Sequence, residues 1–163
     1  MTRFEEGLKI IDERCGGGKD NVIALSTVAI EPNSYGKPRP YVREVDAYYE
    51  NGVFYITTWA KSLKMMQIAN NNEVAFAVQN GWINGNGIGE NLGWVKDPKN
   101  AELRLKLREA FAPWYDFANN EDSEDCIILA IRITRAIVVV NHGEDYYFLD
   151  FINKVESREG RIK

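Results

Sequence analysis

Residues 51–68 read NGVFYITTWAKSLKMMQI. Asn51-Gly52 is a strong two-residue hairpin signal, because both central positions of a type I′ turn need positive φ. The run VFYITT that follows, Val53 to Thr58, is rich in the β-branched and aromatic residues of a strand. Ser62 then opens a short helix expected to end near Asn70, Asn71 and Asn72, with Leu63, Met66 and Ala69 on its buried side. A hairpin needs an earlier partner, and residues 39–48, RPYVREVDAY, supply it. If the pair is centred on Asn51-Gly52, Arg43 opposes a residue near Lys61, just beyond Thr58.

The segments around this unit extend the antiparallel pattern. NVIALSTVAI, from Asn21 to Ile30, reads as a strand, with Ala24, Leu25 and Val28 suited to a core and Ser26 and Thr27 to a polar face. Before it, Thr2 and Glu5 fit a capping box. Phe4, Leu8 and Ile11 mark one helix face, and Gly16 to Gly18 end that helix. Downstream, EVAFAVQ is another strand. The Asn- and Gly-rich stretch 80–93 reads as a hairpin near Gly81 to Gly87 and a strand reaching about Val95. Its glycines mark bulges or close approach to a ligand. Asp97-Pro98 starts a helix in which Leu103, Leu107 and Phe111 recur, and Trp114 to Ala118 form a short helical turn. NNEDSED, residues 119–125, reads as a solvated connector. CIILAIRITRAIVVV, Cys126 to Val140, is the longest strand signal. A turn at Asn141 to Glu144, a last strand at Asp145 to Phe151 and a frayed SREGRIK tail complete the chain. The expected fold is mainly β: a six- or seven-stranded antiparallel barrel with peripheral helices, as one domain over 1–163 with its core in 22–151. Closure removes exposed strand edges. A doubly wound sheet fits poorly, because short connections favour antiparallel pairs.

Composition narrows the function classes. The chain has 163 residues and a formal net charge of −4, which gives no general support for nucleic-acid binding. One histidine, His142, in an expected surface turn, and two distant cysteines, Cys15 and Cys126, argue against a Cys/His metal centre and against a disulfide scaffold. Cys126 reads as structural, whereas Cys15 is expected near an exposed helix end. No apolar run reaches the roughly 20 residues of a membrane span, and MTRFEEGLKIIDER lacks the apolar centre of a signal peptide. A cytoplasmic protein is the expectation. There is no nucleophile elbow, Walker-type loop or dinucleotide fingerprint.

The chemistry concentrates in residues 54–68. A strand end with Thr57 and Thr58 runs into a helix start with Ser62 and Lys64. Hydroxyls, free helix N–H groups and a cation are the donors that a phosphate needs, and Arg43 is expected at the same end of the barrel. Each residue also has a plainer reading. Ser62 can simply cap the helix, Lys64 can be a solvated lysine, Thr57 and Thr58 can be routine strand residues, and Arg43 can pair with Glu44 or another surface acid.

The order of ALSTV, GKPRPYVREV, NGVFYITTWAKSLKMMQI and NNEVAFAV, over about Val22 to Phe151, resembles the flavin-binding split-barrel family related to pyridoxamine 5'-phosphate oxidase, nearest its general-stress-protein branch. The resemblance implies FMN, bound in a cleft between two subunits of a homodimer. It makes Ser62 and Lys64 the phosphate residues, with Thr58 and Lys61 close behind. Arg43 is placed at phosphate or flavin, with Tyr41, Val42, Thr57 and Thr58 along the ribityl chain and ring. Trp82 and Trp94 are candidates for the wall that the partner subunit contributes, or else for core and interface aromatics. A deazaflavin or haem is the alternative cofactor. The stretch Ser62-Leu63-Lys64 lacks the second basic residue of the true oxidase, and no Arg/His-bearing C-terminal substrate segment is evident, which counts against vitamin B6 oxidation.

Three functions fit these expectations. The first is an FMN-dependent oxidoreductase acting on a small-molecule redox substrate, with no catalytic acid or base assignable. The second is a non-catalytic flavin-binding stress or sensor protein, and the third a ligand-free protein-interaction scaffold. No metal, nucleic acid or membrane enters any of them.

Overall fold

The structure, a computed structural model, describes residues 1–158. Helix α1 (Arg3–Cys15) begins with a reciprocal capping box: Thr2 Oγ1 accepts from the Glu5 N–H, and the Thr2 N–H donates to Glu5 Oε2 at 2.7 Å. Strands β1 (Asn21–Val28), β2 (Pro40–Glu50) and β3 (Val53–Trp59) follow as an antiparallel meander. The β2–β3 turn has φ of 49° at Asn51 and 79° at Gly52, the left-handed pair that a type I′ turn requires. Helix α2 (Leu63–Asn70) leads to β4 (Glu73–Val78) and β5 (Ile83–Trp94). Asp97 caps a 3-10 turn that runs into α3 (Ala101–Ala110), followed by α4 (Tyr115–Ala118), β6 (Cys126–Val140), β7 (Asp145–Asp150) and β8 (Val155–Glu156).

Strands pair in the order β3-β2-β1-β4-β5-β6, and β3 pairs again with β6. That second pairing closes six antiparallel strands into a barrel. The length of β6 makes closure possible: its first half, Cys126 to Arg132, pairs with β3, and its second half, Arg135 to Val140, with β7. β7 and β8 therefore lie outside the barrel, whose six strands fall within the expected six or seven. Ile23, Leu25, Phe54, Phe76, Leu129 and Ile131 belong to the main buried core. A second core, with Val95, Leu107, Phe111, Tyr115 and Ile128, joins α3 and α4 to the outside of β6.

Several local expectations are corrected. β1 alternates strictly, with Asn21, Ile23, Leu25 and Thr27 buried. Thr27, expected on a polar face, is therefore 1% exposed, while Ala24 and Val28 are only half-buried. α2 buries Met65, Gln67 and Ile68, not Leu63, Met66 and Ala69. Its orientation follows a polar contact, since the Gln67 amide oxygen takes bonds from both Thr27 and Arg43. The hairpin expected near Gly81 to Gly87 is a tight turn at 79–82, and Gly85 and Gly87 lie inside β5. A Cβ on Gly85 would run into the Arg135 carbonyl oxygen, and the β5–β6 register shifts between Asn86 and Gly87, so these glycines serve strand approach and a bulge. Cys15 is fully buried, not exposed. Of the expected frayed tail, Ser157 donates its N–H to the Phe148 carbonyl at 2.9 Å, and residues 159–163 lie outside the described residues.

The acidic connector is also more than a solvated loop. Glu121 accepts from Arg104 Nε at 2.6 Å and Nη2 at 2.9 Å, from Arg108, and from the Tyr115 hydroxyl at 3.1 Å. Its carbonyl accepts from the Trp94 indole at 2.8 Å. These bonds tie the loop to α3, α4 and β5.

Candidate functional site

The site arises where the β2–β3 hairpin comes apart. The two strands pair only through Tyr48/Tyr55, Tyr49/Phe54 and Glu50/Val53. Beyond that point β2 stays with β1, while β3 continues along β6 as far as Trp59 opposite Cys126. A cleft of about 290 Å³ opens between them. Val45 and Asp46 form its β2 side, Ile56 to Trp59 its β3 side, and Lys64 reaches in from α2. Trp114, Ala118, Asn119 and Asn120 close the outer wall. A wider open depression of about 720 Å³ lies elsewhere along α2, lined by Asn70 to Asn72, Gly89 and Asn91, with no charged group on its walls.

Lys64 Nζ donates to Thr58 Oγ1 at 2.7 Å. Burial, and then the charge of Arg43, push its pKa down. Arg43 Nη1 donates to Thr27 Oγ1 at 2.7 Å and to the Leu25 carbonyl at 3.2 Å, and Nη2 donates to Gln67 Oε1 at 2.8 Å. Its guanidinium lies 5.0 Å from the centre of the Tyr41 ring. Burial lowers its pKa as well. Among the described residues, neither cation has a carboxylate partner. The plainer reading of Arg43, a pair with Glu44 or another surface acid, does not hold. Two hydroxyl oxygens of the same region, Thr57 Oγ1 and Ser62 Oγ, are buried and have no hydrogen-bond partner. Ser62 stands at the N-cap of α2, but its side chain makes no capping bond. Buried polar groups are ordinarily satisfied, and two desolvated cations repel unless an anion lies near them. The donors present are those of an oxyanion or phosphate site.

The remaining sequence candidates are spread more widely. Lys61 is largely exposed and pairs with Asp125 at 3.2 Å. Tyr41 and Val42 are exposed on β2. Trp94 is half-buried, with its indole tied to the Glu121 carbonyl. Trp82 lies at the other end of β6 from Thr58: its carbonyl accepts from the Val139 N–H, whereas Thr58 pairs with Ile127. Trp82 is 56% exposed and meets His142 edge-on at 5.9 Å. No arrangement in this chain brings Trp82 to the cleft.

Sequence reading did not single out Asp46, Asp20 or Trp114. Asp46 lines the cleft beside Trp114, and Asp20 Oδ2 accepts from the Trp114 indole at 2.8 Å. Burial, then the neighbouring Asp20 carboxyl, push the Asp46 pKa up to about 6. A charged residue amid the apolar positions of VREVDAYY was the one available signal for Asp46. Asp20 and Trp114 are remote from it in sequence.

No family model matches the sequence, and no curated protein matches it. Solved structures do match. General Stress Protein 26 from Bacillus anthracis str. Sterne is 19% identical, over 93% of this chain and 100% of that chain, with a TM-score of 0.58. A protein from Clostridium acetobutylicum related to general stress protein 26, of the pyridoxinephosphate oxidase family, is 12% identical over 93% of this chain and 96% of that chain, with a TM-score of 0.59. The chain has the split-barrel fold of these proteins. An FAD-binding protein from Mesorhizobium loti shares it, at 16% identity over 79% of this chain and 90% of that chain and a TM-score of 0.55. The likeness at these identities is one of fold. In this split barrel, the parting of β2 from β3 supplies the cleft. Among the described residues, no three metal-ligating side chains cluster, and no helix is long and apolar enough to cross a membrane.

Proposed function

We propose that this chain binds FMN in the β2–β3 cleft and serves as a flavin-dependent oxidoreductase acting on a small molecule. The observation that carries the reading is the pair of desolvated, carboxylate-free cations, Lys64 and Arg43, beside the unpartnered hydroxyls of Thr57 and Ser62. A phosphate would satisfy the two hydroxyls and relieve the repulsion between the cations. Thr58 would join them by sharing Lys64, and Lys61 would sit at the rim. A bound flavin would supply electron or hydride transfer through its ring system. The protein's part is to anchor the phosphate, to flank the ring with Val45, Ile56 and Trp114, and to limit water at the outer wall. The FAD-binding protein of the same fold supports a flavin over an unrelated phosphate ligand.

The cleft is small for a whole flavin nucleotide, since ligand pockets commonly span about 300–1,000 Å³. A ligand anchored at Lys64 would therefore project from the open side. Trp59, Leu63 and Met66 are each nearly half exposed around β3 and α2, as expected of an apolar surface that a second copy covers. A homodimer would then complete the site. Trp82 is free to meet a second copy, whereas Trp94 is committed to its own subunit. Native mass spectrometry of untreated protein tests cofactor and assembly together. The expected species is a dimer carrying FMN. A deazaflavin or haem in its place, or failure to take up FMN on reconstitution, would overturn the reading.

A further inference from the structure

Neutral oxygens hold the Arg43 guanidinium. Nη1 donates to Thr27 Oγ1 at 2.7 Å, to the Leu25 carbonyl at 3.2 Å and to the Tyr41 carbonyl at 3.5 Å, and Nη2 donates to Gln67 Oε1 at 2.8 Å. A guanidinium can only donate, so the Thr27 hydroxyl directs its own proton elsewhere, and it donates to Gln67 Oε1. Arg43, Thr27 and Gln67 thus close a ring of hydrogen bonds in which the amide oxygen accepts twice. Thr27 is 1% exposed and Gln67 2%, so packing fixes both. The ring ties together β1, β2 and α2, which carry Thr27, Arg43 and Gln67.

This ring adjoins the cleft. Val45, two residues after Arg43 and on the same face of β2, lines the cleft. Lys64, three residues before Gln67 and one turn away on α2, reaches into it. Gln67 therefore fastens Arg43 to the helix that carries Lys64. Among the described residues, Arg43 Nε makes no hydrogen bond, which leaves an N–H open to an oxyanion. A carboxylate at position 67 could accept the same two bonds, but it would also neutralise the guanidinium. The amide holds Arg43 without doing so. Burying an amide beside Met65 and Ile68 is costly unless it is hydrogen-bonded, and the ring supplies those bonds.

We propose that Gln67, supported by Thr27, is the positioning residue of this site: its neutral oxygen fixes the Arg43 guanidinium in place and leaves the positive charge for an anion. The cleft then selects the phosphate monoester form of its ligand over the unphosphorylated form. The proposal rests on the cleft being the flavin phosphate site. It adds to the groups that would touch the phosphate the one that keeps Arg43 fixed and unneutralised.

Fluorescence titration with FMN and with riboflavin, the same ring system without phosphate, tests this. Wild type should bind FMN more tightly than riboflavin. Gln67→Glu should weaken FMN about 10- to 150-fold, the worth of a charge-assisted bond to phosphate, and leave riboflavin within about threefold. Gln67→Met, which removes the acceptor but keeps the Arg43 charge, should fall between the two. A merely structural Gln67 would weaken both flavins alike, so an unchanged ratio of the two affinities in Gln67→Glu would overturn the proposal. If Gln67→Glu does not fold, Thr27→Val decides: it removes another acceptor of Arg43 and should weaken FMN more than riboflavin, and equal losses would overturn the proposal. If wild type takes up neither flavin, the flavin reading falls, and thermal unfolding in inorganic phosphate decides the anion site. A melting temperature that phosphate raises in wild type but not in Gln67→Glu supports the role of Gln67; any other pattern overturns it.

Discussion

Lys64→Met separates an anion-binding role from a structural one. Methionine keeps much of the aliphatic stem and removes the charge. In the ligand-free protein Lys64 is half-buried, its ammonium bonds Thr58, and Arg43 repels it. Losing the bond to Thr58 costs about 1–2 kcal/mol, whereas losing a desolvated cation next to another cation is a gain of similar size. The ligand-free melting temperature should therefore stay within about 4 °C of wild type. FMN binding should respond differently. A charge-assisted hydrogen bond to phosphate is worth about 1.5–3 kcal/mol, and each ~1.4 kcal/mol is tenfold, so the dissociation constant should rise roughly 10- to 150-fold. Lys64→Arg, which keeps the charge, should recover part of that loss. Fluorescence titration of FMN and thermal unfolding of ligand-free protein read the two effects. A dissociation constant within threefold of wild type, together with a melting temperature lowered by many degrees, would refute the reasoning. Lys64 would then be a structural prop for Thr58.

Two further perturbations test the frame around the site. Gly85→Ala places a methyl group against the Arg135 carbonyl, so it should cost about 3 kcal/mol or more in denaturant unfolding, and a neutral result would contradict the close β5–β6 approach. Glu121→Gln should lower stability by roughly 3 kcal/mol at neutral pH, because Arg104 and Arg108 lose a carboxylate partner that is only 10% exposed. Hydrogen bonds from Arg104 hold the Glu121 pKa below its usual value, so this stabilisation is present above the ordinary glutamate range and is lost as pH falls through the lowered pKa. The gap between the variant and wild type should accordingly narrow in acid, and a gap that widens in acid would show the sign to be wrong.

Legibility followed the range of the interactions involved. The Asn51-Gly52 turn, the alternation that follows it and the Thr2/Glu5 cap are local, and each stands where the residues place it. The hairpin register was equally readable, since a two-residue turn sets it. The length of that pairing was not. Only β6, more than sixty residues downstream, draws β3 away from β2, and the cleft exists because of that competition. The buried face of α2 was misjudged for a similar reason. Apolar spacing favoured Leu63 and Met66, but the structure turns Gln67 inward to meet Thr27 and Arg43. The 119–125 loop looked solvated because its partners, Arg104, Arg108 and Trp94, lie on other elements.

The same division holds for the site. By itself the sequence determined the antiparallel order, the hairpin and the donor-rich run from Thr57 to Lys64, because those depend on φ preferences, period-two burial and helix-start chemistry within a few residues. Tertiary structure alone decided that Arg43 lies near enough to Lys64 to repel it with no carboxylate paired to either, that Thr57 and Ser62 hide unpartnered hydroxyls, and that Asp20 reaches the Trp114 indole. Burial and charge proximity are properties of packed neighbours, and those neighbours are far apart along the chain.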